Sequence, residues 1–214
     1  MTGVQTCALP IYPYTLEAPV ASIPVGAVDW VLVDLRDADV PANAVPATRL
    51  AGWPKAYFVR NDGQIIDANG NLPDIGSPTV GGGLFIVIRH RNHIDVMSAY
   101  PASLSGNTYS YDFTGSLGQA YSLGAGYKEI GTGIFGMVSG DTDADGAVFT
   151  SDFNAWAGQF GNDDVYENAD LDMDGSVFTS DFNKWAGNFG SDNLIEGGKT
   201  LTPMYTSQVP GDIK

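Results

Sequence analysis

The feature that most constrains this chain is an acidic segment that occurs twice. The first copy, DTDADGAVFTSDFNAWAGQFG, begins at Asp141, and the second, DLDMDGSVFTSDFNKWAGNFG, begins at Asp170. Numbered from its first residue, each copy has aspartate at positions 1, 3, 5 and 12 and glycine at position 6. Because carboxylates crowded into one short loop repel one another, each copy requires either a cation at its centre or full exposure to solvent.

The spacing of the acidic residues is typical of a calcium-binding loop. Calcium prefers hard oxygen ligands, and alternate residues of a curling loop direct theirs to one point, while glycine at position 6 permits the sharp turn. The predicted ligands are Asp141, Asp143, Asp145, the carbonyl of Ala147 and Asp152 in the first loop, and Asp170, Asp172, Asp174, the carbonyl of Ser176 and Asp181 in the second. We therefore predict two bound calcium ions. Solvated acidic turns are the alternative, which two copies in the same register disfavour.

An amphipathic helix is predicted directly after each loop. Its apolar side chains recur at i, i+3, i+4 and i+7. They are Phe153, Trp156, Ala157 and Phe160 in the first copy, and Phe182, Trp185, Ala186 and Phe189 in the second. We expect these side chains to pack the two helices against each other, with carbohydrate stacking on either tryptophan as the alternative. The residues before the first loop favour a strand, so each unit is a loop followed by one helix.

Residues 12–138 have the pattern of an all-β domain. The segment Ala27–Asp37 alternates in the manner of a strand, Leu84–Ile88 is a continuous apolar run, and Asp62-Gly63 predicts a hairpin turn. Hydrophobic residues make up 43% of the chain, which is enough for a packed core. Seven or so short strands at regular spacing predict an antiparallel, immunoglobulin-like β-sandwich.

We expect four segments along the chain. Residues 1–11 (MTGVQTCALPI) resemble translated adapter sequence from a metagenomic assembly, with a short native leader as the alternative. They do not have the form of a signal peptide, since the basic and apolar regions are missing. Residues 12–138 form the sandwich, 139–192 the repeat pair, and 193–214 a tail. Within the tail, Pro203 and Pro210 restrict any strand to a sheet edge.

The charge of the chain narrows the classes of partner. The formal net charge is −15, with only 10 lysines and arginines, so nucleic acid and anionic membrane surfaces are disfavoured. No apolar run reaches the roughly 20 residues of a membrane span. The segment Arg89–His93 (RHRNH) concentrates cations, and we expect it to hydrogen-bond at one end of the sandwich or to pair with the acidic loops. Because His90 and His93 would face opposite sides of a strand or flank a turn, their spacing predicts no shared metal.

The chemistry predicted for the chain is binding rather than catalysis. No Ser-His-Asp or Cys-His arrangement has local support in the sequence. A glycosidase-type carboxylate pair stays open from sequence alone. The acidic residues outside the two loops lie mostly in turns, where solvation accounts for them. We therefore predict that the protein is not an enzyme.

Residues 141–190 resemble the dockerin module, a secreted bacterial unit that binds two calcium ions. The resemblance rests on the paired loop–helix units that end in aspartate, where most EF-hands have glutamate, at position 12. It implies docking onto a cohesin domain through positions 10 and 11 of each loop. Those positions are Thr150, Ser151, Thr179 and Ser180. Bulky Phe149 and Phe178 at position 9 depart from a free-standing module, so we expect at least one helix to pack on the sandwich.

A second resemblance rests on the segments IVIRHRNHIDVMSA (86–99) and GIFGMVSGDTDADG (133–146) and on YTSQVP near the end of the chain. Together they resemble the C-terminal portion of large secreted bacterial surface proteins, in which a β-sandwich runs directly into a dockerin-like pair. This resemblance implies an extracellular or cell-surface structural or adhesive protein whose repeats are made rigid by calcium. One alternative is a true dockerin that attaches an enzyme to a cohesin scaffold. Another is a subunit of an extracellular filament, which self-associates through calcium sites or by donation of the strand Tyr12–Val25. Carbohydrate binding by the sandwich is a further alternative, which a groove of coplanar aromatic rings would indicate.

Overall fold

The computed structural model describes residues 22–121 and 126–192. The strands are β1 (Ala27–Ala38), β2 (Lys55–Arg60), β3 (Ile65–Ile66), β4 (Gly83–His90), β5 (His93–Met97), β6 (Ser103–Ser105), β7 (Thr108–Ser110), β8 (Tyr127–Gly131) and β9 (Ile134–Met137), and the helices are α1 (Thr150–Gln159) and α2 (Thr179–Asn188). None of the helices in this part of the chain is long and apolar enough to cross a membrane. The predicted leader, the predicted tail strand and most of the predicted donated strand lie outside the described residues.

The main sheet is antiparallel, with strand order β3-β2-β1-β4-β5. The central strand is β1, which pairs with β2 from Ala27 to Val33 and with β4 from Leu32 to Ala38. Leu32 marks the middle of the sheet, since it lies opposite Ala56 on β2 and Arg89 on β4. The turn between β4 and β5 consists of Arg91 and Asn92. It lies next to the second acidic repeat, since the Asn92 side chain donates a hydrogen bond to the carbonyl of Asp170.

Both faces of β1 are buried along most of the strand. Val31, Val33 and Leu35 pack with residues that include Tyr57 and Leu84. On the opposite face, Trp30 and Leu32 contact a separate cluster that contains Phe58 and Ile66. The large apolar residues of β1 therefore anchor two small cores, one on each side of the main sheet.

The remaining strands form two separate hairpins, β6–β7 and β8–β9. The described residues are thus mainly β, with antiparallel sheets and two short helices, and this part of the predicted fold is confirmed. The immunoglobulin-like sandwich arrangement stays a prediction. The sequence from Thr48 to Asp67 also predicts one strand on each side of Trp53-Pro54. That expectation is wrong for the first of the two, because only the segment after Pro54 forms a strand. Before it, Pro46–Thr48 forms a 3-10 turn, since proline cannot donate to a strand ladder.

A buried ion cluster lies within the main sheet around Asp34. The carboxylate of Asp34 accepts hydrogen bonds from Arg49 at 2.7 and 3.0 Å and lies 3.2 Å from Arg36 Nε and 3.3 Å from Arg89 Nη1. Burial would raise the pKa of Asp34, but the hydrogen bond from Arg49 and the neighbouring guanidinium charges hold it below its usual value. The cluster ties three segments of the sheet together through one carboxylate.

Candidate metal centre

The structure brings together the aspartates at positions 1, 3 and 5 of each acidic loop. In each group the three residues offer carboxylate oxygens that all lie within 4.8 Å of one another. The groups are Asp141, Asp143 and Asp145 in the first loop, and Asp170, Asp172 and Asp174 in the second. This is the convergence that the alternating spacing predicts, and it places three anionic oxygens around one point in each loop.

Glycine at position 6 gives each loop its sharp turn. Gly146 and Gly175 both have φ of +90°, a left-handed conformation that disfavours residues with a side chain. The backbone N–H of Gly146 donates to Asp141 Oδ2 at 3.0 Å, and that of Gly175 donates to Asp170 Oδ2 at 3.2 Å. The turn therefore folds the loop back onto its own first carboxylate.

The residues at position 7 also bond to their own loop. The N–H of Ala147 donates to Asp145 Oδ1 at 3.0 Å, and the N–H of Ser176 donates to Asp174 Oδ1 at 2.9 Å. These bonds orient the carboxylates at position 5. Ligation of an ion by the carbonyls of Ala147 and Ser176 stays a prediction.

The aspartates at position 12 close each loop onto the first turn of its helix. Asp152 accepts from the N–H of Thr142 at 2.7 Å through Oδ1 and from the N–H of Phe149 at 2.7 Å through Oδ2. Asp181 repeats this arrangement with the N–H groups of Leu171 and Phe178. Neither belongs to the compact groups at positions 1, 3 and 5. Oδ1 of Asp152 also accepts from Thr142 Oγ1 and from the N–H of Asp143, and Oδ1 of Asp181 also accepts from the N–H of Asp172. Because a carboxylate oxygen has two lone pairs, Oδ2, which accepts from the N–H of Phe149 or Phe178, is the oxygen that can bind a cation as well.

Burial strains the acidic loops electrostatically. It raises the pKa of Asp152 to about 6. The pKa of Asp141 is raised well above its usual value by burial, and further by the charges of Asp152 and Asp95. Burial also raises the pKa of Asp170, although backbone hydrogen bonds and Arg91 oppose the effect. The pKa values of these groups rise mainly because burial in the loop disfavours the charged form. The neighbouring carboxylates add to the effect.

One oxygen of the second loop is buried without a hydrogen-bond partner. It is Oδ1 of Asp172, the aspartate at position 3. A buried anionic oxygen with no donor is costly unless a cation compensates it. Its position in a set of hard carboxylate oxygens fits calcium, which binds oxygen ligands almost exclusively.

The β4–β5 turn attaches the second loop to the main sheet. The Asn92 side-chain amide donates to the carbonyls of Asn168 at 3.1 Å and Asp170 at 2.7 Å. Arg91 donates to the carbonyl of Glu167, and its guanidinium lies over the ring of Tyr166 at 4.2 Å. The predicted pairing of the basic segment with the acidic loops therefore occurs through Arg91 and Asn92.

The two histidines of the basic segment meet across the same turn. Their Nδ1 atoms lie 2.9 Å apart, and His90 Nε2 lies 3.1 Å from Asp29 Oδ2. Of the two placements expected from sequence, the one flanking a turn is found. Asp29 also accepts a hydrogen bond from the hydroxyl of Tyr166 at 2.7 Å, so this cluster lies at the junction with the repeats.

The helices α1 and α2 pack together in a nearly symmetric arrangement. Trp156 Nε1 donates to the carbonyl of Phe178, and Trp185 Nε1 donates to that of Phe149, both at 2.9 Å. Further ring contacts join Phe153 to Phe182, as the amphipathic pattern predicts. The two tryptophans differ in their contacts with the β-sheet part of the protein. Among the described residues, Trp185 packs against a buried apolar cluster there and Trp156 is not part of that cluster.

One helix does pack against the β-sheet part of the protein. Trp185 of α2 lies against a buried cluster formed by Ile94, Val138 and Val148. Asn188, in the last turn of α2, donates to the carbonyl of Ser139 at 2.7 Å. The four predicted docking residues are placed at the start of the helices, where Thr150, Ser151 and Thr179 are exposed and Ser180 is half-buried.

Some residues of this site were not identified from the sequence. The sequence pattern indicates a role for the cations of the basic segment, but it indicates none for Asn92 or Tyr166. Tyr166 and its partner Asp29 are separated by 137 positions. A contact of that range has no periodicity or spacing that reveals it.

The fold and the loops together define a mainly β protein with a paired acidic loop–helix module. No family model matches the chain, and no curated protein matches it. Among solved structures, the chain is similar to one from the crystal structure of an N-terminal interface mutant of a type II cohesin–X–dockerin complex from Acetivibrio cellulolyticus. The identity is 17%, the TM-score is 0.41, and the match covers 79% of this chain and 85% of that one. Similarity at this level supports no inference about fold or function.

Proposed function

We propose that this protein binds two calcium ions and uses them to hold its C-terminal module rigid. The main support is that carboxylate oxygens of three aspartates lie within 4.8 Å of one another in each of two loops. Asp172 Oδ1, buried and without a donor, strengthens the case for a cation in the second loop. Calcium would convert the mutual repulsion of the carboxylates into cohesion of each loop.

Each of the predicted ligands would have its own role in binding the ion. Asp141, Asp143 and Asp145 would supply the anionic oxygens of the first site, with the carbonyl of Ala147 as a further ligand. Asp152 would connect the ion to α1, since it already closes the loop onto that helix. The residues at the same positions of the second loop would do the same for α2.

The proposed setting is extracellular or at a cell surface, and the proposed role is structural or adhesive rather than enzymatic. Extracellular calcium modules work with dissociation constants of about 0.1–1 mM, where the ion is abundant. The net charge of −15 suits a protein whose partners include cations. Fixation of the second loop by Asn92 would extend the stiffness from the module into the main sheet.

A second candidate function is docking onto a cohesin-like partner. It is favoured by the exposure of Thr150, Ser151 and Thr179 beside the exposed rings of Phe149 and Phe178. The near-symmetric helix pair would present two similar surfaces, so a single change would leave one surface intact. The double substitution Thr150→Arg with Thr179→Arg should abolish binding to a cohesin domain while calcium binding persists. Retained cohesin binding, or no binding by the unmodified chain, would count against docking.

Thermal unfolding with and without calcium tests the calcium proposal. Ligand that binds only the folded state raises the melting temperature in proportion to ln(1 + [Ca²⁺]/Kd). Asp141→Ala and Asp170→Ala should each remove part of the increase. Asp74→Ala provides a matched control, because Asp74 is exposed and lies in a turn outside the loops. A melting temperature that does not respond to millimolar calcium would refute the proposal.

A further inference from the structure

The two acidic loops are nearly identical in sequence but lie in different surroundings. In the first loop Asp145 is half-buried and Gly146 is buried. The corresponding Asp174 is exposed and Gly175 is half-buried. The first loop is therefore the more enclosed of the two, so an ion there would interact with its carboxylates at a lower effective dielectric.

A fixed cation lies beside the second loop. Arg91 Nη2 is 3.8 Å from Asp170 Oδ2, and the Arg91 side chain is 99% buried from solvent, with a relative exposure of 1%. Its stacking on Tyr166 and its hydrogen bond to the carbonyl of Glu167 hold the guanidinium in place. Asp29 at 3.2 Å neutralises part of its charge.

The first loop has a different neighbour on the same hairpin. It begins beside β5, since the N–H of Ile94 donates to the carbonyl of Val138 and the N–H of Gly140 donates to that of Asn92. The next residue of β5, Asp95, is acidic, and it forms an ion pair with Arg89 at 2.9 Å. Among the residues that the structure describes, Asp141 has no ion pair like that of Asp170 with Arg91.

We infer that the β4–β5 hairpin makes the two calcium sites unequal, so that the first loop binds calcium more tightly and Arg91 sets the weaker affinity of the second. The inference rests on the proposed calcium function. A unit positive charge about 6 Å from a divalent ion in a water-like dielectric weakens binding about tenfold. Partial neutralisation by Asp29 reduces this effect, whereas burial of Arg91 increases it.

Unequal affinities give the module two successive responses to calcium. At low calcium the first loop fills and stabilises the contact of its Val148 with Ile94 and Val138. At higher calcium the second loop fills, and Asp170 then interacts with both the ion and Arg91. The hairpin thus separates two steps that identical, isolated loops would take together.

Calorimetric titration of the chain with calcium tests the inequality. Asp170→Asn leaves only the first loop intact, and Asp141→Asn leaves only the second. We expect the Asp170→Asn chain to bind one ion about tenfold more tightly than the Asp141→Asn chain. Equal affinities, or a tighter second loop, would overturn the inference. This comparison does not require any change at Arg91.

The role of Arg91 is tested in the Asp141→Asn background. Arg91→Gln removes the charge and keeps hydrogen-bond donors, so it should tighten calcium binding by the second loop about tenfold. Arg91→Lys keeps the positive charge but loses the planar guanidinium that stacks on Tyr166, so it is the control for structural effects and should change the affinity less than Arg91→Gln does. If both substitutions change the affinity equally, Arg91 acts through structure and not through charge. No calcium binding by the unmodified chain would refute the proposed function itself.

Discussion

Asn92 joins the main sheet to the second acidic loop through a hydrogen bond of 2.7 Å from its side-chain amide to the carbonyl of Asp170. The same amide donates to the carbonyl of Asn168. The backbone carbonyl of Asn92 accepts from the N–H of Gly140, the residue before the first loop. One fully buried residue in a hairpin turn therefore contacts the chain at the start of both loops.

Replacement of this residue should weaken the junction. Asn92→Ala removes the donor to the carbonyl of buried Asp170 and to that of half-buried Asn168, and a buried polar group that loses its partner costs about 1–3 kcal/mol. We expect the free energy of unfolding to fall by that amount in urea denaturation at saturating calcium, monitored by tryptophan fluorescence.

Asn183→Ala is the control for this prediction. Asn183 is exposed on α2, so its loss should change the free energy of unfolding by no more than about 0.5 kcal/mol. Similar effects of the two substitutions would show that the hydrogen bonds of Asn92 do not hold the junction.

Local patterns predict the module well because its geometry is set within short stretches of chain. The left-handed glycine at position 6 and the inward carboxylates at positions 1, 3 and 5 depend only on residues of the same loop. The helix that follows each loop depends on apolar spacing over a few turns. Strands with strong alternation, such as β1, are found for the same reason.

These local patterns do not predict contacts between distant segments of the chain. The cations around Asn92 indicate pairing with the acidic loops, but no local pattern indicates that the Asn92 side chain donates to the carbonyls of residues 168 and 170. The strand order β3-β2-β1-β4-β5 likewise depends on pairing between segments, which alternation within one strand does not specify. The proline-rich stretch before Trp53 has apolar residues in strand-like positions, yet its missing N–H donors favour a turn.

The two tryptophans of the helix pair should differ in their contribution to stability. Each donates one hydrogen bond to the opposite loop–helix unit, but only Trp185 also packs on Ile94, Val138 and Val148. Loss of a well-packed tryptophan costs about 3–5 kcal/mol. We expect Trp185→Ala to approach this range and Trp156→Ala to cost less, as measured by urea denaturation.

The Trp156→Ala variant is itself the matched control, because the hydrogen bond and the helix position are the same. Equal losses from the two substitutions would mean that α2 gains nothing from the sheet. A larger loss of unfolding free energy from Trp156→Ala would contradict the prediction that Trp185 contributes more to stability.

The buried cluster around Asp34 should matter for stability independently of calcium. Asp34→Ala removes the carboxylate shared by Arg36, Arg49 and Arg89 and leaves buried positive charge behind. Breaking a buried ion pair in this way costs about 3–5 kcal/mol. The loss should be the same in calcium and in chelator, since the cluster lies within the main sheet.

Asp62→Ala is the comparison for Asp34→Ala. Asp62 pairs with Arg60 on the surface, where solvent screens the interaction, so its removal should leave the midpoint of urea denaturation unchanged. A calcium-dependent effect of Asp34→Ala would contradict the separation of the ion cluster from the metal centre.

The contribution of the loop carboxylates to the pH dependence of stability should change sign when calcium is added. Burial raises the pKa of Asp152 to about 6 from an ordinary value of 3.8, and the pKa of Asp141 is raised as well. Without calcium, these groups bind more protons in the folded protein than in the unfolded chain, so their contribution to stability should rise as the pH falls from 7 towards 5. His93 opposes this contribution, because burial lowers its pKa well below the usual value and the unfolded chain then takes up a proton that the folded protein does not. With calcium present, protons compete with the ion for the same carboxylates, so the melting temperature should fall over this range.

Scanning calorimetry at pH 7, 6 and 5 checks both slopes, in buffer freed of calcium and in buffer with saturating calcium. Asp152→Asn cannot titrate, so it should remove the contribution of Asp152 from the slope of the calcium-free protein, and its stability should rise less, or fall more, as the pH falls. Asp62→Asn should leave that slope in place, because burial does not raise the pKa of Asp62, which its hydrogen bond to Arg60 lowers to about 2. Equal slopes for Asp152→Asn and the unmodified chain in calcium-free buffer would mean that Asp152 does not titrate in this range.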